Sequence, residues 1–411
     1  MKIGIVSQWY PPEPAFIPAS LAEELAARGH EVRVLTGFPN YPVGVIYPGY
    51  RQQWNAWSTT GRITTRRVPL YPSHDSSAAR RIATYASFAA TSSVAAVRYL
   101  AGVDALYVYH PPATAFAPAA LLRLLYRVPA VLHVQDIWPE SVTASPMGPR
   151  PRGLVDRALG LAMRQIYRMA HSIAVIAPSM RDLVVERGAD PARVRVVLNW
   201  ADESLFRPVE ATEEARREIG YRGRCTVMHA GNIGPFQNIC GAIRAAASVE
   251  RASGVDLVLV GSGIAEGTAR TLVADLGATN VRFLGRQEPA RMAALYAAAD
   301  YQLVSLLDLP IFRGTIPSKL QAALSCGSPV VVSAPGDCAG LVERNGVGLS
   351  CPPEDWRALA DRFVRAASFS PAEHAEMRRR ARASYEAHMS KRAGVDELEK
   401  MLKAAARGEH R

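Results

Sequence analysis

A lysine in the second half of the chain stands where its charge opposes the local structure. The segment Gly314 to Leu320, GTIPSKL, predicts a helix with Ser318 as its N-cap and Lys319 in its first turn. A cation there opposes the helix dipole at a cost of up to about 1 kcal/mol. A bound diphosphate would explain this lysine better than helix stability does, and the alternative is a surface lysine whose stem packs on the protein.

Small residues follow three predicted strands of the same half. Gly231-Asn232-Ile233-Gly234 follows the strand 225–230, Gly261-Ser262-Gly263 follows 256–260, and Gly285-Arg286 follows 281–284. Glycine lets backbone N–H groups and a helix N-terminus approach an anion, and Ser262 could bond a phosphate or a sugar. The alternatives are tight turns that need glycine and a solvated arginine.

Polar residues also end strands in the first half. Asp136 follows the strand 130–134, which contains His133, and His110 ends the preceding strand. Asp136 could orient an acceptor hydroxyl or the donor's sugar, whereas an Asx turn is the alternative. The first strand is followed by QWYPPE, residues 8–13, without GxGxxG, which argues against an NAD or FAD enzyme.

Short β-branched runs that alternate with helical patterns predict parallel sheets wrapped by helices. In such sheets ligands bind outside the carboxyl ends of the strands, where the residues above lie. The predicted strands are 2–7, 31–36, 104–109, 130–134, 172–176, 194–198, 225–230, 256–260, 281–284, 301–305 and 329–332. A helix at 20–28 ends at Gly29, and the chain is helical and charged from about residue 370.

The alternation breaks at 199–208, NWADESLFRP, and then restarts, which indicates an interdomain linker. We therefore predict an α/β fold of two Rossmann-like, doubly wound domains that face a central cleft. The first comprises residues 1–203, with a C-terminal helix of about 385–411 packing back on it, and the second comprises 204–384.

Composition excludes several classes of protein. The 411 residues carry a formal charge of +11, which attracts polyanions, but no Lys/Arg-rich run with interleaved aromatics indicates nucleic-acid binding. The five cysteines lack metal-ligand spacing, so we expect them to be buried thiols in a reducing cytosol. We expect no metal and no cofactor. No signal peptide or membrane span is visible, which favours a cytoplasmic location.

The motifs together resemble the family-4 retaining glycosyltransferases of GT-B fold, in the branch that builds colanic-acid-type and O-antigen-type polysaccharides. The resemblance covers nearly the whole chain. It is carried by SQWYPPEP, RGHEVRVLTGFPNYPVG, HVQDIWPES, VLNWAD, HAGNIG, VGSG, VRFLGR and IPSKLQAALSCGSPVVVSAPGD.

This resemblance implies a nucleotide-sugar donor on the second domain, an acceptor on the first, and no DxD metal motif. It assigns catalytic roles to Lys319, Asp136 and Asn232. The implied donor-binding residues are Gly231, Asn232, Ser262, Gly263, Arg286, Arg313, Gly314, Thr315, Ile316, Ser318, Lys319 and Gln321. The implied acceptor-binding residues are Tyr10, Glu13, His110, Asp136 and Trp138.

The chain also departs from the family pattern. Gly314 and Ala322 stand where many members have glutamates, and Gln237 stands near the position of a usual basic residue. Arg313 or Gln321 could substitute. These departures leave open a non-catalytic protein that binds nucleotide sugar for a partner enzyme.

The expected reaction is sugar transfer to a hydroxyl with retention, in cell-envelope polysaccharide, glycoconjugate or secondary-metabolite synthesis. If the reaction instead inverts, Asp136, His110 or Glu13 is the candidate base. The basic segments at 150–168 and around Arg80, Arg81 and Tyr85 could lie on an anionic membrane and suit a lipid-linked acceptor. Ordinary helices that pack on the sheet are the slightly favoured alternative.

Overall fold

A computed structural model describes residues 1–74, 77–138 and 153–409 of the chain. It separates into two units: the first combines Met1–Leu198 with Gly394–Arg411, and the second is Asn199–Ala393. The start of the basic segment 150–168 and the end of the HVQDIWPES motif lie outside the described residues.

The first unit is built on an eight-stranded sheet of order β3-β4-β2-β1-β5-β6-β7-β8. The strands are β1 (Lys2–Val6), β2 (Glu31–Gly37), β3 (Ala56–Thr60), β4 (Ile63–Val68), β5 (Ala105–His110), β6 (Ala130–Val134), β7 (Ser172–Val175) and β8 (Val194–Val196). The β3–β4 pair is antiparallel and the other pairs are parallel. Apart from the hairpin, the sheet is therefore the predicted parallel one.

Within the described residues, five α-helices connect these strands: α1 (Phe16–Ala27), α2 (Ala78–Tyr99), α3 (Ala117–Tyr126), α4 (Gly153–Met169) and α5 (Pro178–Glu186). Crossovers between parallel strands are right-handed, so α1 covers one face of the sheet and α2 to α5 form a layer on the other. At the end of α1, Gly29 has φ +89° and donates to the carbonyl of Ala26, as the predicted glycine stop requires.

The second unit contains a six-stranded parallel sheet of order β11-β10-β9-β12-β13-β14. Its strands are β9 (Cys225–Ala230), β10 (Val255–Val260), β11 (Val281–Gly285), β12 (Tyr301–Ser305), β13 (Val330–Ser333) and β14 (Gly348–Cys351). Its helices are α6 (Glu213–Glu218), α7 (Ile239–Ser253), α8 (Glu266–Leu276), α9 (Met292–Ala298), α10 (Ser318–Ser325), α11 (Asp337–Asn345), α12 (Trp356–Ala367) and α13 (Pro371–His388). A core of apolar residues on β9, β10, α7 and α12 supports this sheet.

The final helix, α14 (Lys391–Ala406), begins at the boundary between the units. Arg28 at the end of α1 donates to Asp396 and Glu399 of α14, at 2.6 and 2.8 Å. His30 Nε2 lies 2.8 Å from Glu399. These contacts hold the end of the chain in the first unit.

The unit boundaries differ by a few residues from the predicted ones. Glu203 belongs to the second unit, where its carboxylate accepts from the Tyr385 hydroxyl and from the N–H of Lys391. The chain therefore changes units after Leu198 and again after Ala393. The region predicted to be helical from about residue 370 contains two helices, Pro371–His388 and Lys391–Ala406, of which only the last joins the first unit.

Two further properties bear on the sequence predictions. All five cysteines are free, but Cys225 and Cys240 are only half-buried. No helix in the described part of the chain is long and apolar enough to cross a bilayer.

Candidate active site

Backbone hydrogen bonds join the carboxyl ends of β9, β10 and β11. Gly231 donates to the carbonyl of Val260 at 2.8 Å, and Gly261 donates to that of Gly285 at 2.7 Å. Ile233 donates to the carbonyl of Ser262 at 3.0 Å. The three loops that the sequence singles out thus form one edge of the second unit.

Two glycines in these loops cannot be replaced without strain. Gly231 has φ +132° and Gly261 has φ +125°, values that side chains other than glycine rarely adopt. A Cβ on Gly261 would lie 1.9 Å from the Gly231 carbonyl oxygen, and a Cβ on Gly263 would lie 2.3 Å from that of Ile233. The absence of side chains allows the loops to approach each other and leaves their backbone open to a ligand.

Lys319 lies against this edge. A Cβ on Gly231 would be 2.7 Å from its Cε and 3.4 Å from its Nζ, so the lysine stem crosses the glycine. Burial lowers the pKa of Lys319 to about 8, and no charged partner among the described residues contributes to that shift. A half-buried ammonium beside an open backbone edge is suited to an anion.

The helix that carries Lys319 begins differently from the prediction. Ser318 is the first helical residue of α10 and is exposed, while Pro317 is the N-cap with an extended backbone and no side-chain capping bond. Ser318 therefore does not cap the helix. The N–H groups of Leu320 and Gln321 donate to the Pro317 carbonyl at 2.9 and 3.4 Å. The N–H groups of Ser318 and Lys319 receive no capping oxygen from the N-cap side chain, so an anion beside Lys319 could accept from them.

His229, at the end of β9, is fully buried next to Lys319. Its Nε2 lies 3.3 Å from the carbonyl oxygen of Asn232. Burial, followed by the charge of Lys319, lowers the pKa of His229 to about 3, so the ring is neutral at physiological pH. It supports the loop and does not share the positive charge of the lysine.

The segment before α10 is held mainly by its own backbone. The Thr315 hydroxyl donates to the carbonyl of Ile311, and the buried Gln321 amide donates to that of Ile316 at 3.3 Å. Arg313 is exposed, and its guanidinium lies 3.7 Å from the Asp308 carboxylate. The backbone N–H of Asp337 donates to the backbone carbonyl of Arg313. Gln321 therefore braces the loop, whereas the Arg313 guanidinium and the half-exposed Gly314 backbone reach solvent.

The remaining donor-side residues are accessible. Asn232 and Arg286 are exposed, and Ser262 is half-buried. Gln237, near the position of the usual basic residue, accepts from the N–H of Gly234 at 3.1 Å. It closes the turn that begins at Gly231 and adds no charge to it.

In the first unit, Glu13 is a buried carboxylate bonded by backbone. It accepts from the N–H groups of Asn40 and Tyr41 at 2.9 Å each and from that of Tyr10 at 3.2 Å. Burial nevertheless raises its pKa above the ordinary value, and burial also raises that of Tyr10 to about 12. Glu13 therefore organises the loop after β1, with both carboxylate oxygens already accepting hydrogen bonds.

The other residues predicted to bind acceptor gather at the ends of β5 and β6. The ring of Trp138 lies 6.0 Å from that of His110 and 5.8 Å from that of Tyr85. His110 is fully buried, and desolvation lowers its pKa to about 4. Asp136 is exposed, while His133 is buried and bonded to Tyr107 and Gln135. Asp136 is thus the accessible carboxylate of this edge.

Sequence reasoning missed two polar residues beside this group. Within the described part of the chain, both amide atoms of Gln8, both ring nitrogens of His110 and the Thr114 hydroxyl are buried without a hydrogen-bond partner. Val6 of β1 pairs in register with Val108 of β5. Gln8 is two residues beyond Val6, and His110 is two residues beyond Val108, so both lie at the same edge of the sheet. Unpaired buried polar atoms are costly, which marks this place for a hydroxyl-bearing ligand or water. Only the fold brings Gln8 to this place, because it is far from His110 and Thr114 in the sequence.

Comparison with known proteins agrees with this architecture. Residues 17–200 match the family described as glycosyl transferase 4-like domain, and residues 224–368 match glycosyl transferases group 1. A protein of Escherichia coli K12, named as a proposed colanic acid biosynthesis glycosyl transferase, WcaI, is 27% identical over 87% of this chain and 90% of its own.

Solved structures resemble the whole chain. Sucrose-phosphate synthase from Thermosynechococcus elongatus matches with a TM-score of 0.75 at 19% identity, over 99% of this chain and 100% of its own. HepE of Anabaena, in complex with UDP and glucose, matches with a TM-score of 0.67 at 18% identity, over 98% and 100%. At these identities the likeness shows the fold, which is GT-B.

The two sheets and the two successive domain matches define a glycosyltransferase of GT-B fold. The chain belongs to the family-4 glycosyltransferases.

Proposed function

We propose that the protein transfers a sugar from a nucleoside diphosphate sugar to an acceptor hydroxyl with retention of configuration and without a metal ion. The observation that carries this proposal is Lys319, whose desolvated ammonium lies beside the Gly231 backbone. A diphosphate at this edge would meet the lysine, the Gly231-Asn232 backbone and the first turn of α10 together.

The same groups would stabilise the leaving diphosphate. Negative charge grows on the diphosphate as its bond to the anomeric carbon breaks, and fixed donors in a low-dielectric site favour that charge. Asn232 and Ser262 add exposed polar groups, and the exposed backbone near Arg286 could meet the base. This arrangement would take the place of a metal ion.

The acceptor side of the proposal rests on the first unit. Asp136 would orient the acceptor hydroxyl or the transferred sugar, and the unpaired atoms of Gln8, His110 and Thr114 would bind further hydroxyls. We expect a lipid-linked acceptor in envelope polysaccharide synthesis, with the enzyme cytoplasmic and peripheral on the membrane. WcaI, the relative described above, is named for colanic acid biosynthesis, which supports a role in polysaccharide synthesis.

Retention requires that the new bond form on the face from which the diphosphate departs. The acceptor oxygen bonds to the anomeric carbon, and its proton passes to the departing phosphate oxygen. No separate base is then needed. Glu13 is a poor base because backbone N–H groups occupy its oxygens, so Asp136 would be the first residue to test if the product were inverted.

The test begins with thermal-shift titrations of UDP, GDP, dTDP, ADP and their common sugars, with EDTA present. We expect one base series to raise the melting temperature, and Lys319→Ala to abolish that rise. Lys400→Ala, on an exposed turn of α14, is the matched control and should leave it unchanged. No shift with any nucleotide in the wild-type protein would remove the proposal.

A turnover assay then distinguishes an enzyme from a protein that only binds donor. The second possibility follows from Gly314 and Ala322, which stand where many family members have glutamates. With the donor identified, Lys319→Ala should lower turnover by about two to three orders of magnitude. NMR of the product decides the anomeric configuration. Tight donor binding without transfer to any acceptor from the envelope pathway would favour the non-catalytic partner protein instead.

A further inference from the structure

The outer surface of α2 and α3 exposes apolar side chains in an unusual arrangement. On α2, Ile82, Ala86, Ala90 and Val94 recur every fourth residue and are all exposed, Ile82 by 61% and Val94 by 67%. On α3, which packs against α2, Leu124 and Leu125 are 74% and 54% exposed. These six residues form what we call the outer α2–α3 face.

The charges around this face have one sign. Neither helix contains an aspartate or glutamate, while Arg80, Arg98 and Arg123 are exposed on them and Arg127 directly follows α3. By contrast, α14 of the same unit carries Asp396, Glu397 and Glu399. The outer α2–α3 face is therefore an apolar strip bordered by arginines without compensating acids on its own helices.

We propose that the outer α2–α3 face docks the protein on an anionic lipid bilayer. Transfer of leucine and isoleucine side chains from water to the acyl boundary lowers the free energy, and flanking arginines bind lipid phosphates. Tyr126, 46% exposed at the end of α3, is suited to the interface between the two. Nucleic acid offers no hydrocarbon for the leucines, so a lipid surface matches both the apolar and the basic parts.

The sequence suggested two basic segments for membrane contact, 150–168 and the stretch around Arg80, Arg81 and Tyr85. The outer α2–α3 face includes the helix that carries the second segment but not the first. On α4, Met163 and Tyr167 are buried, as in an ordinary helix that packs on its unit, and Leu161 is the exposed large apolar residue among its described side chains. The outer α2–α3 face instead presents four large aliphatic residues to solvent, Ile82, Val94, Leu124 and Leu125. The inference rests on the proposed membrane contact and names the surface that makes it.

The experiment is co-sedimentation of the full chain with vesicles rich in phosphatidylglycerol and with pure phosphatidylcholine vesicles. Leu124→Glu with Leu125→Glu should reduce partition onto anionic vesicles by at least about tenfold. Val364→Glu, an exposed apolar position on α12, is the matched control and should bind like wild type. Exchange of Arg123 and Arg127 for alanine should lower partition onto anionic vesicles by about fivefold per arginine and leave partition onto phosphatidylcholine vesicles unchanged. The same exchange at Arg357 and Arg379 should not lower partition onto anionic vesicles.

Three results would overturn the inference. The first is that the wild-type chain fails to sediment with anionic vesicles. The second is that the double leucine variant sediments as well as wild type. The third is that the leucine substitutions change only the oligomeric state, from dimer to monomer. Melting temperature confirms that each variant is folded. Because the donor-induced thermal shift needs no vesicles, its retention in the leucine variant separates failure of membrane docking from failure of the proposed transferase activity.

Discussion

Lys319 shows how a residue that suits a ligand can oppose the fold. Its ammonium lies half-buried in the first turn of α10, where both desolvation and the helix dipole disfavour a positive charge. Methionine keeps the length of the stem without the charge. We expect Lys319→Met to raise the free energy of unfolding by about 1 kcal/mol, while it removes the thermal shift caused by the donor.

Chemical denaturation of the free protein measures this gain. Lys319→Arg is the control that keeps a charge, and it should show no gain. If the methionine variant were less stable than wild type, the lysine would be making a favourable contact within the protein, and the anion-site interpretation would lose its main support.

The lowered pKa of Lys319 also predicts how donor affinity depends on pH. The free protein releases the lysine proton near pH 8, below the ordinary value of 10.5, and a bound diphosphate favours the charged form. The dissociation constant should therefore be constant below pH 8 and rise by up to about tenfold per pH unit above it. His229 cannot cause this dependence, because its pKa is about 3.

Calorimetric titration of the nucleoside diphosphate between pH 7 and 10 tests that profile. Lys319→Arg should flatten it, since arginine stays protonated throughout this range. A wild-type profile that is already flat would mean that the lysine does not contact the diphosphate.

At the scale of elements, the sequence predicts the buried parallel strands well and the exposed elements poorly. The predictions for Cys225–Ala230 and Tyr301–Ser305 match the strands to the residue, because each is a short segment in which apolar residues outnumber polar ones. The prediction lacks the hairpin of β3 and β4, since AWSTT is largely exposed and ITTRRV, although half-buried, is mostly polar. Gln8 and His110 could not be grouped before the strand order was known.

Substitution by alanine should have opposite effects on stability at two glycines, Gly261 in the loop after β10 and Gly267 in α8. Gly261→Ala places a Cβ against the Gly231 carbonyl at φ +125° and should destabilise the second unit by about 2 kcal/mol. Gly267, within α8, has open space around it, so Gly267→Ala should stabilise by up to about 1 kcal/mol. Urea denaturation compares the two, and equal effects would contradict the close approach of the loops.

At the scale of the whole molecule, the two units use the chain differently. The second unit is one continuous segment, Asn199–Ala393, whereas the first needs residues from both ends. Val395, Leu398 and Leu402 of α14 are buried, and Glu399 receives hydrogen bonds from Lys403, His30 and Arg28. Burial alone would raise the pKa of Glu399, but these bonds lower it to about 2, so their contribution is present above pH 4.5 and is lost as the pH falls through 2.

A chain that ends at Ala393 should therefore lose the first unit selectively. Removing α14 exposes the partners of several large apolar side chains, each worth about 1.5 to 3 kcal/mol, which approaches the whole stability of a typical domain. Scanning calorimetry should show the transition of the first unit lost or strongly lowered, while the second unit still melts cooperatively and is still stabilised by the donor nucleotide. Glu399→Gln, which removes the charge but keeps α14, is the milder control. It should lower the melting temperature of the first unit and leave that of the second unit unchanged. Loss of the nucleotide response in the shortened chain would show that the donor site depends on the first unit, and the assignment of that site to the second unit alone would be wrong.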